Sequence, residues 1–175
     1  MDIMLSEINQ YTNKSLLTCA ITLAVQTLGY HTCLYNPFIN NSYLRRHTLD
    51  DSDNPFYCRY RTNIDFAHTY KSKSFYSPRQ NDEETKDNVC LSKIYFQYKE
   101  LLEKYDAIIS EDTDNLMAPL NDELLNYELV KMLNIPIALV SSPCDDWCER
   151  IMYSINCLQN MDITLRGIIL RYHAQ

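Results

Sequence analysis

Glycine is almost absent from this chain: 175 residues hold two, Gly29 and Gly167. Any stretch that elsewhere relies on glycine for positive φ or close backbone approach must here be built from residues with side chains. Basic charge is also in deficit, and the net charge of −7 excludes a general nucleic-acid or anionic-membrane surface while leaving room for a local cationic pocket. No run approaches the roughly 20 apolar residues of a membrane-spanning helix. The N-terminus lacks the basic region and cleavage site of a signal peptide, so the expected location is cytoplasmic, with neither nucleic acid nor membrane as partner. Seven cysteines (19, 33, 58, 90, 144, 148 and 157) are odd in number and scattered, which argues for buried thiols in a reducing compartment rather than a disulfide framework. Cys144 and Cys148 can meet across a helical turn, but no second His or Cys pair completes a zinc set. Tryptophan occurs once against fourteen tyrosines and five phenylalanines, a bias with no functional reading.

What is present suits one domain over residues 1–175, since 46% of the chain is hydrophobic and that length can bury a core. Met1 to Ile8 reads as a short apolar strand, and the apolar run opened by Lys14-Ser15 has helical length and periodicity. Gly29 stands at the expected helix C-cap. His31 to Tyr35 is a second strand closed by Asn36-Pro37. Ser42 to Ser77 is polar and Tyr-rich, read as a long excursion of short helices or loops. Asn88 to Lys104 carries a clear apolar helical face. Then follow a strand over Asp106 to Ser110, a helix over Leu124 to Leu133, a strand over Ile135 to Val140, a helix over Asp145 to Met161, and a last strand, Ile168 to Arg171, introduced by Gly167. Alternating strands and helices predict an α/β fold, a parallel sheet in three layers with helices on both faces and right-handed crossovers. Ligands of such sheets sit at the C-terminal strand ends. Those ends are the loops after Ile8, Tyr35, Ser110, Val140 and Arg171.

The first of these loops has the order strand, turn (Asn9 to Asn13), Lys14-Ser15, helix. A phosphate-binding loop has that order, because backbone N–H groups at a helix start, with a lysine, cradle the anion. Glycines normally make the curl possible, and every residue from Glu7 to Asn13 carries a side chain. Taken alone, Lys14-Ser15 reads as an ordinary helix start.

Several segments, in order, resemble the dethiobiotin synthetase family of P-loop proteins. Lys14-Ser15 falls where that family ends its glycine-rich loop with Lys-Thr. Leu28-Gly29-Tyr30-His31-Thr32 with Tyr35-Asn36-Pro37 is similar to its Gly-Tyr strand entry and Tyr-Lys-Pro turn, and Phe75-Tyr76-Ser77-Pro78 to its aromatic-Ser-Pro segment. Tyr105 to Glu111 resembles the strand ending in Val-Glu-Gly, and Ala118 to Glu123 its Pro-Leu-Ser-Asp. Asn134 to Val140 and Leu165 to Leu170 fit its last two core strands. The resemblance implies a P-loop NTPase-like fold and an ATP- and Mg²⁺-dependent ligase of biotin biosynthesis, which carboxylates 7,8-diaminononanoate and closes the ureido ring. By position, Lys14 would be the catalytic and phosphate-binding residue, with Ser15 and Asn13 in the nucleotide loop. Ser15, Asp53 and Glu111 would be Mg²⁺ ligands, and Asn36 and Ser77 would lie at the substrate. A homodimer is implied as well.

The departures from that family point toward an atypical or decayed ATP site. The loop glycines are missing, and Glu7 stands where the loop should open. Asn36 replaces the lysine of the Tyr-Lys-Pro turn. Asp112-Thr113-Asp114-Asn115 replaces the glycines after the strand-end Glu, adding negative charge that repels phosphate. Arg171-Tyr172 stands where an Asn-Asp pair would read adenine, and the chain stops at Gln175, short of the family's C-terminal segment. The alternative is a non-catalytic relative acting as a binding or regulatory partner. Other features have plain readings: Glu111, Asp112 and Asp114 as a solvated acidic loop, Asp145-Asp146 as a helix-start charge pair, Ser141-Ser142-Pro143 as a turn, and His31, His47, His68 and His173 as isolated side chains.

Overall fold

Met4 and Leu5 are neighbours on the first strand, yet they enter two different cores. Successive strand residues point to opposite faces, and a strand apolar at both positions belongs inside a sheet covered on both sides. The computed structural model describes residues 1–8, 14–40, 64–72, 91–112, 116–117 and 125–172. Its strands are β1 (Asp2–Glu7), β2 (Thr32–Asn40), β3 (Asp65–Ser72), β4 (Ala107–Glu111), β5 (Ile137–Ser141) and β6 (Leu165–Leu170). They form one six-stranded sheet in the order β3-β2-β4-β1-β5-β6, and every pairing is parallel. The helices are α1 (Lys14–Thr27), α2 (Leu91–Lys104), α3 (Asn126–Leu133) and α4 (Trp147–Asn160).

On one face Leu5, Ile109 and Val140 pack with Val25, Leu17 and Ile21 of α1. On the other, Met4, Tyr35, Ile108 and Leu139 pack with Ile94 and Tyr98 of α2, Leu129 and Leu133 of α3 and Leu158 of α4. The layering follows from handedness. From β1 the chain moves one way along the sheet to reach β2, and from β3, β4 and β5 it moves the other way, so right-handed crossovers place α1 opposite α2, α3 and α4. The connections leaving the adjacent strands β1 and β4 thus diverge to opposite faces, which opens a crevice at their C-terminal ends.

Element boundaries agree with the sequence to within a few residues, the usual looseness of helix ends, with three corrections. β2 does not close at Asn36-Pro37 but continues to Asn40. Its ladder with β4 ends at Tyr35, and beyond that it pairs with β3 alone, so Pro37 falls where one side of the ladder has already stopped and a missing N–H costs little. The excursion from Ser42 to Ser77 contains β3, a polar edge strand whose sequence, DFAHTYKS, lacks the apolar signature of an interior strand. Gly167 lies within β6 rather than before it, beside a register shift where Ile137 pairs with Leu165 and Ala138 with Gly167. Gly29 does close α1, with φ +91° and its N–H on the Gln26 carbonyl at 2.9 Å. The expectation of buried thiols holds for Cys33 and fails for Cys144 and Cys148, which are exposed; the five described cysteines form no disulfide. Among the described residues no helix is long and apolar enough to cross a membrane.

Candidate site at the C-terminal strand ends

The alternation that sorts the two cores also aims the polar residues that follow them. Glu111 lies two residues beyond Ile109 and one beyond Ser110, so it shares the α1 face; Asn36, next after Tyr35, does the same on the neighbouring strand. Because Tyr35 is level with Ser110, Asn36 arrives level with Glu111, and its Nδ2 donates to Glu111 Oε1 at 2.9 Å. Above them runs a stripe of α1 at helical spacing: Lys14, Thr18, Thr22 and Val25, all buried. The Thr18 hydroxyl lies 2.9 Å from the Lys14 carbonyl and the Thr22 hydroxyl 2.8 Å from the Thr18 carbonyl, the back-bonding that lets threonine be buried inside a helix. Thr18 Oγ1 also lies 3.3 Å from Glu111 Oε2.

One residue beyond β4, Asp112 is fixed from several sides. Its N–H donates to the Leu5 carbonyl at 3.3 Å, extending the β1–β4 ladder. Its own carbonyl accepts from Lys14 Nζ at 2.9 Å, its Oδ1 forms an ion pair with the same ammonium, and its Oδ2 accepts from the Ser6 hydroxyl. Lys14 and Asp112 are only 7% and 5% exposed, so a charge on either must be compensated within the fold. Burial works against the Lys14 ammonium, but Asp112, Glu111 and Glu7 outweigh it and hold its pKa above the ordinary value. Burial pushes the Asp112 carboxyl up to about 6; Lys14 and Ser6 oppose that rise and Glu7 adds to it.

Of the residues picked out by sequence, Lys14, Asn36 and Glu111 converge here, and Ser15 occupies the second position of α1. Asn13, Asp53, Ser77 and the Ser15 side chain lie outside the described residues. The solvated-loop reading is overturned for Glu111 and Asp112, both buried. Asp145-Asp146 remains a helix-start pair, with Asp146 bridged to Arg150 at 2.7 Å in an exposed i,i+4 contact. Sequence reasoning missed Asp112 as the partner of Lys14, Ser6 as the hydroxyl that orients it, and Thr18. A signal was available for each: a small polar residue at the tail of an apolar strand, an acid directly after a buried strand, and a threonine one turn beyond the lysine.

The arrangement can be tested against the ligands that a lysine at a helix start suggests. A phosphate reaching Lys14 would compete with Asp112 for its ammonium. Glu111 could ligate a divalent cation, but its Oε1 already accepts from Asn36 and its Oε2 lies against Thr18 Oγ1. Among the described residues no group of three or more His, Cys, Asp or Glu side chains could hold a metal ion. In this arrangement Lys14 and Glu111 are both engaged with protein partners. Beside it, a cleft of ≈ 430 Å³ runs from Ser6 and Glu7 past Leu139 to Asp146, Arg150 and Tyr153 of the α4 region.

Comparison with known proteins gives the fold and the family. A family model described as an AAA domain matches residues 2–174. The ATP-dependent dethiobiotin synthetase BioD of Fusobacterium nucleatum is 26% identical over 144 residues, covering 80% of this chain and 65% of that protein. Its counterpart in Clostridium perfringens is 28% identical over 105 residues, covering 58% of this chain and 46% of that protein. The chain thus spans about half to two thirds of the length of these curated relatives. Among solved structures, the MinC:MinD cell division protein complex of Aquifex aeolicus gives a TM-score of 0.58 at 15% identity, covering 98% of this chain and 67% of that one. The BceF tyrosine kinase domain gives 0.60 at 14% identity, covering 97% of this chain and 67% of that one. At such identities the likeness is one of fold. With Lys14 heading the helix after β1 and facing a carboxylate at the end of the adjacent strand, this chain belongs to the AAA-domain family, as a dethiobiotin-synthetase-like P-loop protein.

Proposed function

We propose that the chain is a protein of biotin biosynthesis, acting on 7,8-diaminononanoate with ATP and Mg²⁺ through an atypical nucleotide site. The observation that carries this reading is the convergence of Lys14, Glu111 and Asn36 on the crevice at the ends of β1, β2 and β4. Phosphoryl transfer depends on placing the reactants and neutralising the transferred group, and this crevice is where a parallel sheet offers such placement. The residues depart from that task in charge rather than in position. Asn36 supplies a hydrogen bond where a cation would neutralise a carbamate or phosphate, and Glu7, Glu111 and Asp112 set three carboxylates against one ammonium. Incorporation of isotope-labelled carbon dioxide into diaminononanoate, with ATP and Mg²⁺, tests the reading. Product that disappears in Lys14→Ala supports it, and no turnover with any nucleotide discards it.

A second reading has its own observation. Lys14, which by its place at the helix start would meet phosphate, is buried against Asp112, and this suits a non-catalytic relative retained as a binding or regulatory module. Calorimetry with Mg·ATP separates the two, since submillimolar affinity counts against a purely structural role. Under either reading we propose a homodimer, which sedimentation equilibrium would reject by giving a clean monomer at high concentration.

A further inference from the structure

The contacts of Asp112 differ from those of an ordinary ion pair. Lys14 Nζ donates to two atoms of this one residue, its carbonyl at 2.9 Å and its carboxylate Oδ1. Ser6 holds the second carboxylate oxygen, and the backbone N–H is tied to Leu5 at 3.3 Å. Main chain and side chain thus form a claw around the ammonium, and both partners are buried. The exposed pair Asp146–Arg150 makes the contrast, with side chains 45% and 52% exposed and water able to replace either partner.

We propose that Asp112 is a built-in anion that fills the Lys14 position and thereby weakens what this end of the sheet can bind: an external oxyanion must first displace the carboxylate. An anion from solution must compete with one delivered intramolecularly, already oriented and already desolvated. The effective concentration of such a tethered competitor reaches millimolar even for loose tethers, and here the tether is a strand end held by ladder hydrogen bonds. Asp112 is accordingly a specificity-determining residue rather than a catalytic one. A ligand that places a neutral or cationic group here meets no such competition. This inference rests on reading the Lys14 end as a phosphate site, and its test therefore uses a simple anion rather than a biosynthetic substrate.

Inorganic pyrophosphate, titrated by calorimetry at low salt, is the probe. Asp112→Asn keeps the size of the side chain and an acceptor for Ser6 while removing the charge. It should bind pyrophosphate at least tenfold more tightly than the parent protein, and the gain should vanish in the Lys14→Met/Asp112→Asn double variant. A readout without ligand runs alongside: acylation of Lys14 by an amine-reactive reagent, followed by mass spectrometry, should be faster in Asp112→Asn than in the parent. Equal pyrophosphate affinity in parent and Asp112→Asn overturns the proposal, as does a gain that survives loss of Lys14. Should Asp112→Asn lose its fold by circular dichroism, Ser6→Ala takes its place. It leaves the charge but loosens the carboxylate, so a smaller, Lys14-dependent gain is expected and unchanged affinity overturns the idea. Pyrophosphate binding by Asp112→Asn without labelled-carbon incorporation would leave the built-in anion standing and remove only the enzymatic reading.

Discussion

The two ends of the same strands carry similar polar groups with opposite consequences. At the C-terminal end, Lys14, Asp112, Ser6, Glu111 and Thr18 form a buried network. At the N-terminal end, the Tyr105 hydroxyl donates to Asp65 at 2.8 Å, the His31 ring stacks on Tyr105 at 4.5 Å, and His31 Nε2 lies 3.7 Å from Asp65 with both side chains more than half exposed. Water can substitute for any partner at the second site, so its contacts are weak. At the first site both partners are buried, and a charge left unpaired there must be carried by the fold. Burial rather than the identity of the groups makes one end a constraint and the other a decoration.

The comparison breaks most clearly at Lys14. Lys14→Met leaves the Asp112 carboxylate buried without its cation and should destabilise the fold by about 3–5 kcal/mol in urea unfolding; adding Asp112→Asn should recover most of the loss. A cost below about 1 kcal/mol would mean that water already reaches this end. Asn36→Ala probes the same network one strand away. It removes a hydrogen bond from buried Glu111 and should cost about 1–3 kcal/mol by the same assay, and a neutral result would show that another donor replaces it.

Acid gives a third, smaller handle. With its folded pKa raised from 3.8 to about 6, Asp112 binds its proton more tightly in the folded state than in the unfolded chain. Its contribution is therefore fully present below pH 4 and is lost as pH rises through about 6. The stability of the parent relative to Asp112→Asn should fall between pH 4 and pH 6.5, and a flat difference would place the carboxylate in contact with solvent. Least is expected of Asp65→Asn at the exposed end, a change within about 0.5 kcal/mol. If it matched Lys14→Met, the contrast between the ends would be void.

Much of the scaffold was legible because its signals are local. The apolar runs at β1, β4 and β5, the amphipathic face of α2 and the glycine closing α1 each follow from a few adjacent residues. β3 was not legible, since DFAHTYKS carries neither the continuous apolar run of an interior strand nor a regular alternation. The continuation of β2 through Pro37 was hidden for a related reason. Proline reads as a strand end until it is known that the β4 ladder has already stopped beside it.

The site divides in the same way. The sequence by itself determined that a lysine heads the helix after the first strand, that no glycine lies in the turn before it, and that acids follow the strand from Asp106 to Ser110. It could not determine that Lys14 and Asp112, 98 residues apart, would neutralise each other. That contact exists because β4 inserts between β1 and β2, which carries Asp112 alongside Leu5 and beneath the start of α1. Whether an acid is solvated or buried depends on which elements cover it, and that cover comes from chain distant in sequence, so only the tertiary structure decided it.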